Sequence, residues 1–129
     1  MTVTFFLDRS LGAKVVATAL RNAGWSVVTH DQVFPQDTPD QVWLARAGAE
    51  NWIVFTRDDR IRYRPAERGA LMDAGVRAVV LTSPALTGPA IAALIVQAAD
   101  RIEALMAKQP PGPVIVTLTR GPRLRVVRP

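Results

Sequence analysis

Apolar positions along this chain fall into two alternating rhythms. Short runs rich in β-branched and aromatic side chains read as strands: Val3 to Leu7, Trp25 to Thr29 (WSVVT), Trp52 to Thr56 (WIVFT) and Arg77 to Thr82 (RAVVLT). WIVFT is apolar throughout, the pattern of a strand buried on both faces. Between the strands the apolar positions recur at helical spacing. From Leu11 to Ala23 these are Val15, Val16, Ala19 and Leu20, with Ser10 as a cap and Gly24 as a stop. A polar loop, HDQVFPQDTP, precedes a helix predicted from Asp40 to about Gly48, with Asp37 or Thr38 as its cap and Pro39 in its first turn. Pro65 to Ala74 reads as a short helix closed by Gly75, and a Ser-Pro break follows the fourth strand. Thr87 to Lys108 is the longest helix, with Leu94, Ala98, Ile102 and Leu105 on the face that covers the sheet. Strands alternating with helices predict an α/β fold, a parallel sheet wrapped on both sides through right-handed crossovers. After PPGP (Pro110 to Pro113), the segments Val114 to Thr119 and Arg123 to Val127 flank Arg120, Gly121 and Pro122. They read as a β-hairpin or edge addition, so residues 110–129 form a β extension of the domain built by residues 1–109.

A length of 129 residues leaves room for one domain, and 49% apolar against 21% charged residues describes a packed core rather than a disordered chain. The absence of cysteine excludes disulfides, thiolate zinc sites and a cysteine nucleophile. The most apolar stretch, Ala90 to Ala99, is interrupted by Gln97 and too short to cross a bilayer. The opening MTVTFFLDRS has no basic region before its apolar residues, unlike a signal peptide. A cytoplasmic protein with no membrane partner is expected. The formal net charge is +5, and five arginines crowd between Arg57 and Arg68. That suits a polyanion, whose phosphates guanidinium groups bind in a bidentate manner, and it equally suits an ordinary solvated basic surface.

In an open α/β sheet, ligands bind beyond the C-terminal ends of the strands, near a switch in strand order. Asp8 follows the first strand and Asp58 the third. Either alone also reads as a helix or turn cap. Together they are what an octahedral Mg²⁺ or Mn²⁺ requires from a protein. Asp40, at the start of the intervening helix, can lean into the same crevice, and Asp59 is a fourth candidate. Such a cluster repels itself unless a cation or a shared proton relieves it. With a cation it would orient and deprotonate a water for in-line attack on a phosphodiester. Nearby arginines would hold the phosphates, Arg57, Arg60, Arg62 and Arg64 beside the second acid; Arg9 or Lys14 could touch a phosphate beside the first, though there a plain solvated helix face prevails. His30 and Asp31 are neighbours in a loop, where structural roles prevail over an acid–base dyad. Trp25, Trp43 and Trp52 read as core or rim. No Walker loop, GxSxG elbow, HExxH or Rossmann glycine pattern is present.

The segments FFLDRSLG, VVTHD, DQVWL and WIVFTRDDRI, in that order and spacing, resemble a compact subgroup of PIN-like domains found as VapC-type toxins. The resemblance spans Thr4 to Thr82. It implies a three-layer α/β/α fold with a mainly parallel sheet and Mg²⁺- or Mn²⁺-dependent endoribonuclease activity. It also implies a cognate antitoxin that covers the acidic groove, and a homodimer. Asp8 matches the family's first metal-binding acid, Asp58 the acid of the TRD motif and Asp40 the acid of the helix between them; Asp59 directly follows TRD, whereas larger PIN domains place their further acid a few residues beyond it. The six cations named above become contacts for RNA or antitoxin. The usual toxin carries a Glu on a longer helical arm, where this chain has an Asp at a helix start, and the tail after Pro110 has no counterpart in the minimal pattern. Two rivals stand beside this reading. A PIN-like module could bind RNA or a partner without cutting. A receiver-type phosphoacceptor would use Asp8, Asp58 and Thr82, but it should close its fifth strand with a lysine, and PVIVTLT has none.

Overall fold

The structure is a computed structural model that describes residues 3–12, 14–82 and 86–127. The Ser-Pro break at Ser83 and Pro84 lies outside them. The elements are β1 (Thr4–Leu7), α1 (Val15–Asn22), β2 (Ser26–Thr29), α2 (His30–Val33), α3 (Asp40–Ala49), β3 (Ile53–Thr56), α4 (Arg60–Tyr63), α5 (Pro65–Ala74), β4 (Arg77–Leu81), α6 (Gly88–Ala107), β5 (Val114–Thr119) and β6 (Arg123–Val127). They form one six-stranded sheet in the order β2-β1-β3-β4-β5-β6. The pairs from β2 through β5 are parallel, and β6 is antiparallel to β5. This is the expected mainly parallel α/β sheet. Its hairpin contributes the fifth parallel strand as well as an antiparallel edge.

Alternation along each strand sorts the core into two layers. Phe5, Leu7, Phe55, Val79 and Leu118 face one side, where Val16 and Leu20 of α1 and Ile95 and Ile102 of α6 cover them. Phe6, Val54, Val80 and Ile115 face the other side, against Trp43 and Leu44 of α3 and Leu71 of α5. The tryptophans belong to these layers: the ring centroid of Phe6 lies 5.5 Å from Trp43 and 5.2 Å from Trp52, and Phe5 lies 5.0 Å from Trp25. Helices α3 and α5 touch at Gly48, where an added Cβ would stand 2.1 Å from the Ala74 carbonyl oxygen. Only glycine allows that approach.

Four local expectations are corrected. The first helix begins at Val15 rather than Leu11, because Asp8, not Ser10, caps a short 3-10 turn over Arg9–Leu11 that ends at Gly12 with φ +72°. The loop after β2 contains the single turn α2, closed by the Gln32 side chain accepting from the Thr29 amide at 2.8 Å. Pro39 itself occupies the cap of α3, while the Thr38 hydroxyl turns back to the Pro35 carbonyl at 2.7 Å. The turn α4 was not foreseen. Elsewhere the local signals hold: Gly75 closes α5 with φ +66°, and the Thr87 hydroxyl accepts from the Ala90 amide at 3.2 Å to open α6. Among the described residues no helix is long and apolar enough to cross a membrane.

Candidate active site

From β1 the chain passes to β2 on one side, then returns to lay β3 on the other, so the C-terminal ends of β1 and β3 flank the switch point of the sheet. Asp8 and Asp58 lie just beyond those ends, and the Asp8 amide is tied to the Phe55 carbonyl at 3.2 Å. Helix α3 brings Asp40 to the same place and α5 brings Glu67. The four carboxylates line a small pocket with Thr56 and the apolar side chains of Trp43, Leu44 and Ile61. Its free volume is about 10 Å³, the size of one water site.

Each aspartate is already engaged by its own chain. Asp8 is only 6% exposed. Its Oδ1 accepts from the Ser10 amide at 2.9 Å and from the Ser10 hydroxyl, and its Oδ2 from the Thr56 hydroxyl. Burial pushes the Asp8 carboxyl up to about 6; the Ser10 and Thr56 hydrogen bonds oppose that rise and the Asp58 charge adds to it. Thr56 links the two strand-end acids, because its hydroxyl oxygen also accepts from the Asp58 amide at 2.9 Å. Both Asp58 oxygens meet the fork of Arg60, whose Nε and Nη2 lie at 2.8 and 2.6 Å. That guanidinium holds the Asp58 carboxyl below the usual range. Asp40 accepts at Oδ1 from Trp43 Nε1 at 3.0 Å and from Arg9 at 2.9 Å. Glu67 differs, for its Oε2 is buried and has no hydrogen-bond partner among the described residues.

Of the acids read from sequence, Asp8, Asp40 and Asp58 come together and Asp59 does not. The Asp59 side chain is 52% exposed and pairs with Arg62 at 3.1 Å. Sequence reasoning missed Glu67, Ser10 and Thr56. An acid in the first turn of a helix that opens with Pro65 reads as a partner of the helix dipole, and nothing in its spacing shows that it faces Asp8. The cations divide as well. Arg9, Arg60 and Arg62 are taken by Asp40, Asp58 and Asp59. The charge of Arg64 helps to lower Asp58. Lys14 and Arg57 line an open cavity of about 510 Å³ beside Ser10, with no ion-pair partner among the described residues. His30 is no dyad member: it is buried among Phe6, Phe34 and Trp43, and burial lowers its pKa. Asp31 instead accepts from the Thr29 hydroxyl at 2.5 Å.

Chemically, the pocket is a set of hard oxygen donors at a strand-end crevice, with one buried carboxylate oxygen left without a donor among the described residues. Among the described residues no three acidic or imidazole side chains are placed to grip one ion together. Residues 3–83 match the family described as "PIN like domain". The chain is also 31% identical over 126 residues to a protein named "Putative ribonuclease VapC45" from Mycobacterium tuberculosis strain H37Rv, an alignment that covers 95% of this chain and 90% of that one.

Proposed function

This chain belongs to the PIN-like domain family, and on that premise we propose that it is a Mg²⁺- or Mn²⁺-dependent endoribonuclease, the toxin of a type II toxin–antitoxin pair. The observation that carries the reading is the pocket at the β1/β3 switch, where three aspartates converge with a Glu67 oxygen that has no hydrogen-bond partner among the described residues. Their donor chemistry fits a divalent cation. Mg²⁺ takes only one or two protein carboxylates, which suits a pocket whose acids do not all close on one point. Asp8 and Asp58 are assigned as ligands, Asp40 and Glu67 as supporting carboxylates, and Asp59 has the weakest claim because it faces solvent. The ion, when bound, polarises the phosphodiester and makes a water acidic enough to attack it.

The chain's own residues do the rest. Ser10 and Thr56 hold the Asp8 carboxylate in one orientation, and Thr56 couples it to the backbone of Asp58. Lys14 and Arg57 line a cavity with Ser10 and have no ion-pair partner among the described residues, which supports a role for them in taking the phosphates that flank the cleaved bond. Arg9, Arg60, Arg62 and Arg64 neutralise acids until RNA or antitoxin claims them. On this reading the protein acts in the cytoplasm, an antitoxin silences it by covering the acidic groove, and a homodimer rests on the family resemblance.

One observation favours a second reading, a PIN-like module that binds RNA without cutting it: Asp58 and Asp40 already have cationic partners within the chain. Incubating purified protein and a mixed RNA pool with Mn²⁺ or Mg²⁺ separates the two. Cleavage that disappears both with EDTA and in Asp8→Asn is expected of the nuclease. Metal-independent cleavage, or none at all in the wild type, would sink it.

A further inference from the structure

Beyond the acidic pocket, the C-terminal ends of the parallel strands carry a second concave site whose charge is of the opposite sign. An open cavity of about 620 Å³ lies against the β5–β6 hairpin, lined by Arg62, Arg101, Arg123 and Arg125 and by threonine hydroxyls, and no carboxylate lines it. The hairpin register explains why these groups meet. Thr117 pairs with Arg125 and Thr119 with Arg123, so two arginines and two threonines share one face as cross-strand neighbours. That is the face whose inner end, at Ile115, joins the core under α3 and α5. Towards the turn, where the two arginine–threonine pairs lie, the cavity stands against it.

Like charges packed at this density repel one another unless an anion is supplied. Within the chain little supplies it. The guanidinium groups of Arg123 and Arg125 have no hydrogen bond or ion pair among the described residues, and Arg101 reaches only the Pro122 carbonyl at 3.2 Å. Arg62 pairs with Asp59, yet its Nε is buried and has no hydrogen-bond partner among the described residues. Arg62 also joins this cavity to the acidic one, because Ile61 lines the acidic pocket and Arg62 lines this cavity, on successive residues of the single turn α4. Strands lie about 4.8 Å apart, so the end of β5 is about 10 Å from the end of β3 that carries Asp58. A few nucleotides span that gap.

We propose that this groove is a phosphate-binding subsite for single-stranded RNA, through which the hairpin holds the substrate strand on its way to or from the acidic pocket. The inference rests on the ribonuclease reading for its direction, though not for the site itself. RNA fits better than an acidic polypeptide because Arg62, which lines the groove, has its guanidinium 4.8 Å from the ring centroid of Tyr63, a residue 65% exposed. An exposed ring beside phosphate-binding arginines is a stacking platform for a base, and a polyglutamate segment has no use for it.

The test is fluorescence anisotropy with a dye-labelled oligouridylate and the full chain in EDTA, so that binding is read without cleavage. The double variant Arg123→Gln with Arg125→Gln is compared with the charge-preserving pair Arg123→Lys with Arg125→Lys. Losing two phosphate contacts should weaken binding about tenfold at about 0.1 M salt and reduce the slope of log K against log salt by about 1.4. The lysine pair should keep the slope. Both positions are exposed, their guanidinium groups have no hydrogen bond or ion pair among the described residues, and unchanged melting curves will show that the variants fold. Equal affinity and slope in wild type and glutamine variant overturn the proposal, as does a wild type that binds polyglutamate but not oligouridylate, which makes the groove a protein dock. The two readings fail separately. Arginine-dependent RNA binding by a protein that never cleaves keeps the groove and removes the nuclease, whereas cleavage with binding indifferent to both arginines does the reverse.

Discussion

The acidic pocket and the basic groove sit on the same edge of one sheet, a single helical turn apart, and they are built on opposite plans. In the pocket, three aspartates are held by hydroxyls, an indole and guanidinium groups of the same chain, in a space of about 10 Å³. In the groove, about 620 Å³ stands open and two arginines have no partner at all among the described residues. The difference follows from what each must do. Groups that take part in bond breaking need fixed positions, which a supporting shell of hydrogen bonds provides. A surface that attracts a flexible polyanion works best when its charges are left for the partner to neutralise, and precision matters less there.

The pocket buries a carboxylate and so carries a desolvation cost to stability that the exposed arginines of the groove do not. The largest effect is expected at Asp8. Its folded-state pKa of about 6 lies above the ordinary 3.8, so the folded protein holds this proton more tightly than the unfolded chain does. The stabilisation it provides is present in acid and is lost as the pH rises through about 6; at pH 8 the buried charge costs up to about 3 kcal/mol. Asp8→Asn should therefore melt above wild type at pH 8 in EDTA, with the gap narrowing towards pH 4. A variant that melts below wild type at both pH values would contradict the cost.

The second effect concerns the scaffold that carries Asp40 and Glu67 into the pocket. Gly48→Ala drives a methyl into the Ala74 carbonyl between α3 and α5, and overpacking of this kind costs about 1–3 kcal/mol. Urea unfolding should register that loss, and cleavage should fall with it while oligouridylate binding at the hairpin stays close to wild type. Equal losses at both sites would mean that the two regions are not separate. The smallest effect is the most direct probe of the pocket's self-neutralisation. Arg60→Gln removes the fork from Asp58, so the Asp58 carboxyl should rise towards its ordinary value and Mn²⁺ should bind about fivefold more tightly by calorimetry, the lower end of typical coupling between sites. Weaker Mn²⁺ binding would show that Arg60 organises the site rather than guards it.

Much of the framework was legible along the chain because its signals are local. Alternating and helical periodicities marked the strands and the long helices, Gly75 and Thr87 marked an end and a beginning, and the acids after β1 and β3 were visible as strand-end residues. Short turns such as α2 and α4 escaped because a single turn has no periodicity to read. Tertiary structure alone decided the rest. Glu67 and Asp59 look alike in sequence, each an acid near a helix start, yet the packing of α5 against α3 turns one into the pocket while the other remains in solvent. Arg123 and Arg125 lie in a tail that sequence could name as a hairpin, but only its register against Thr117 and Thr119 and the return of α4 place them beside Arg62. Periodicity reports which face a residue takes within its own element; which faces then meet depends on strand order and helix packing, which join residues far apart in the chain.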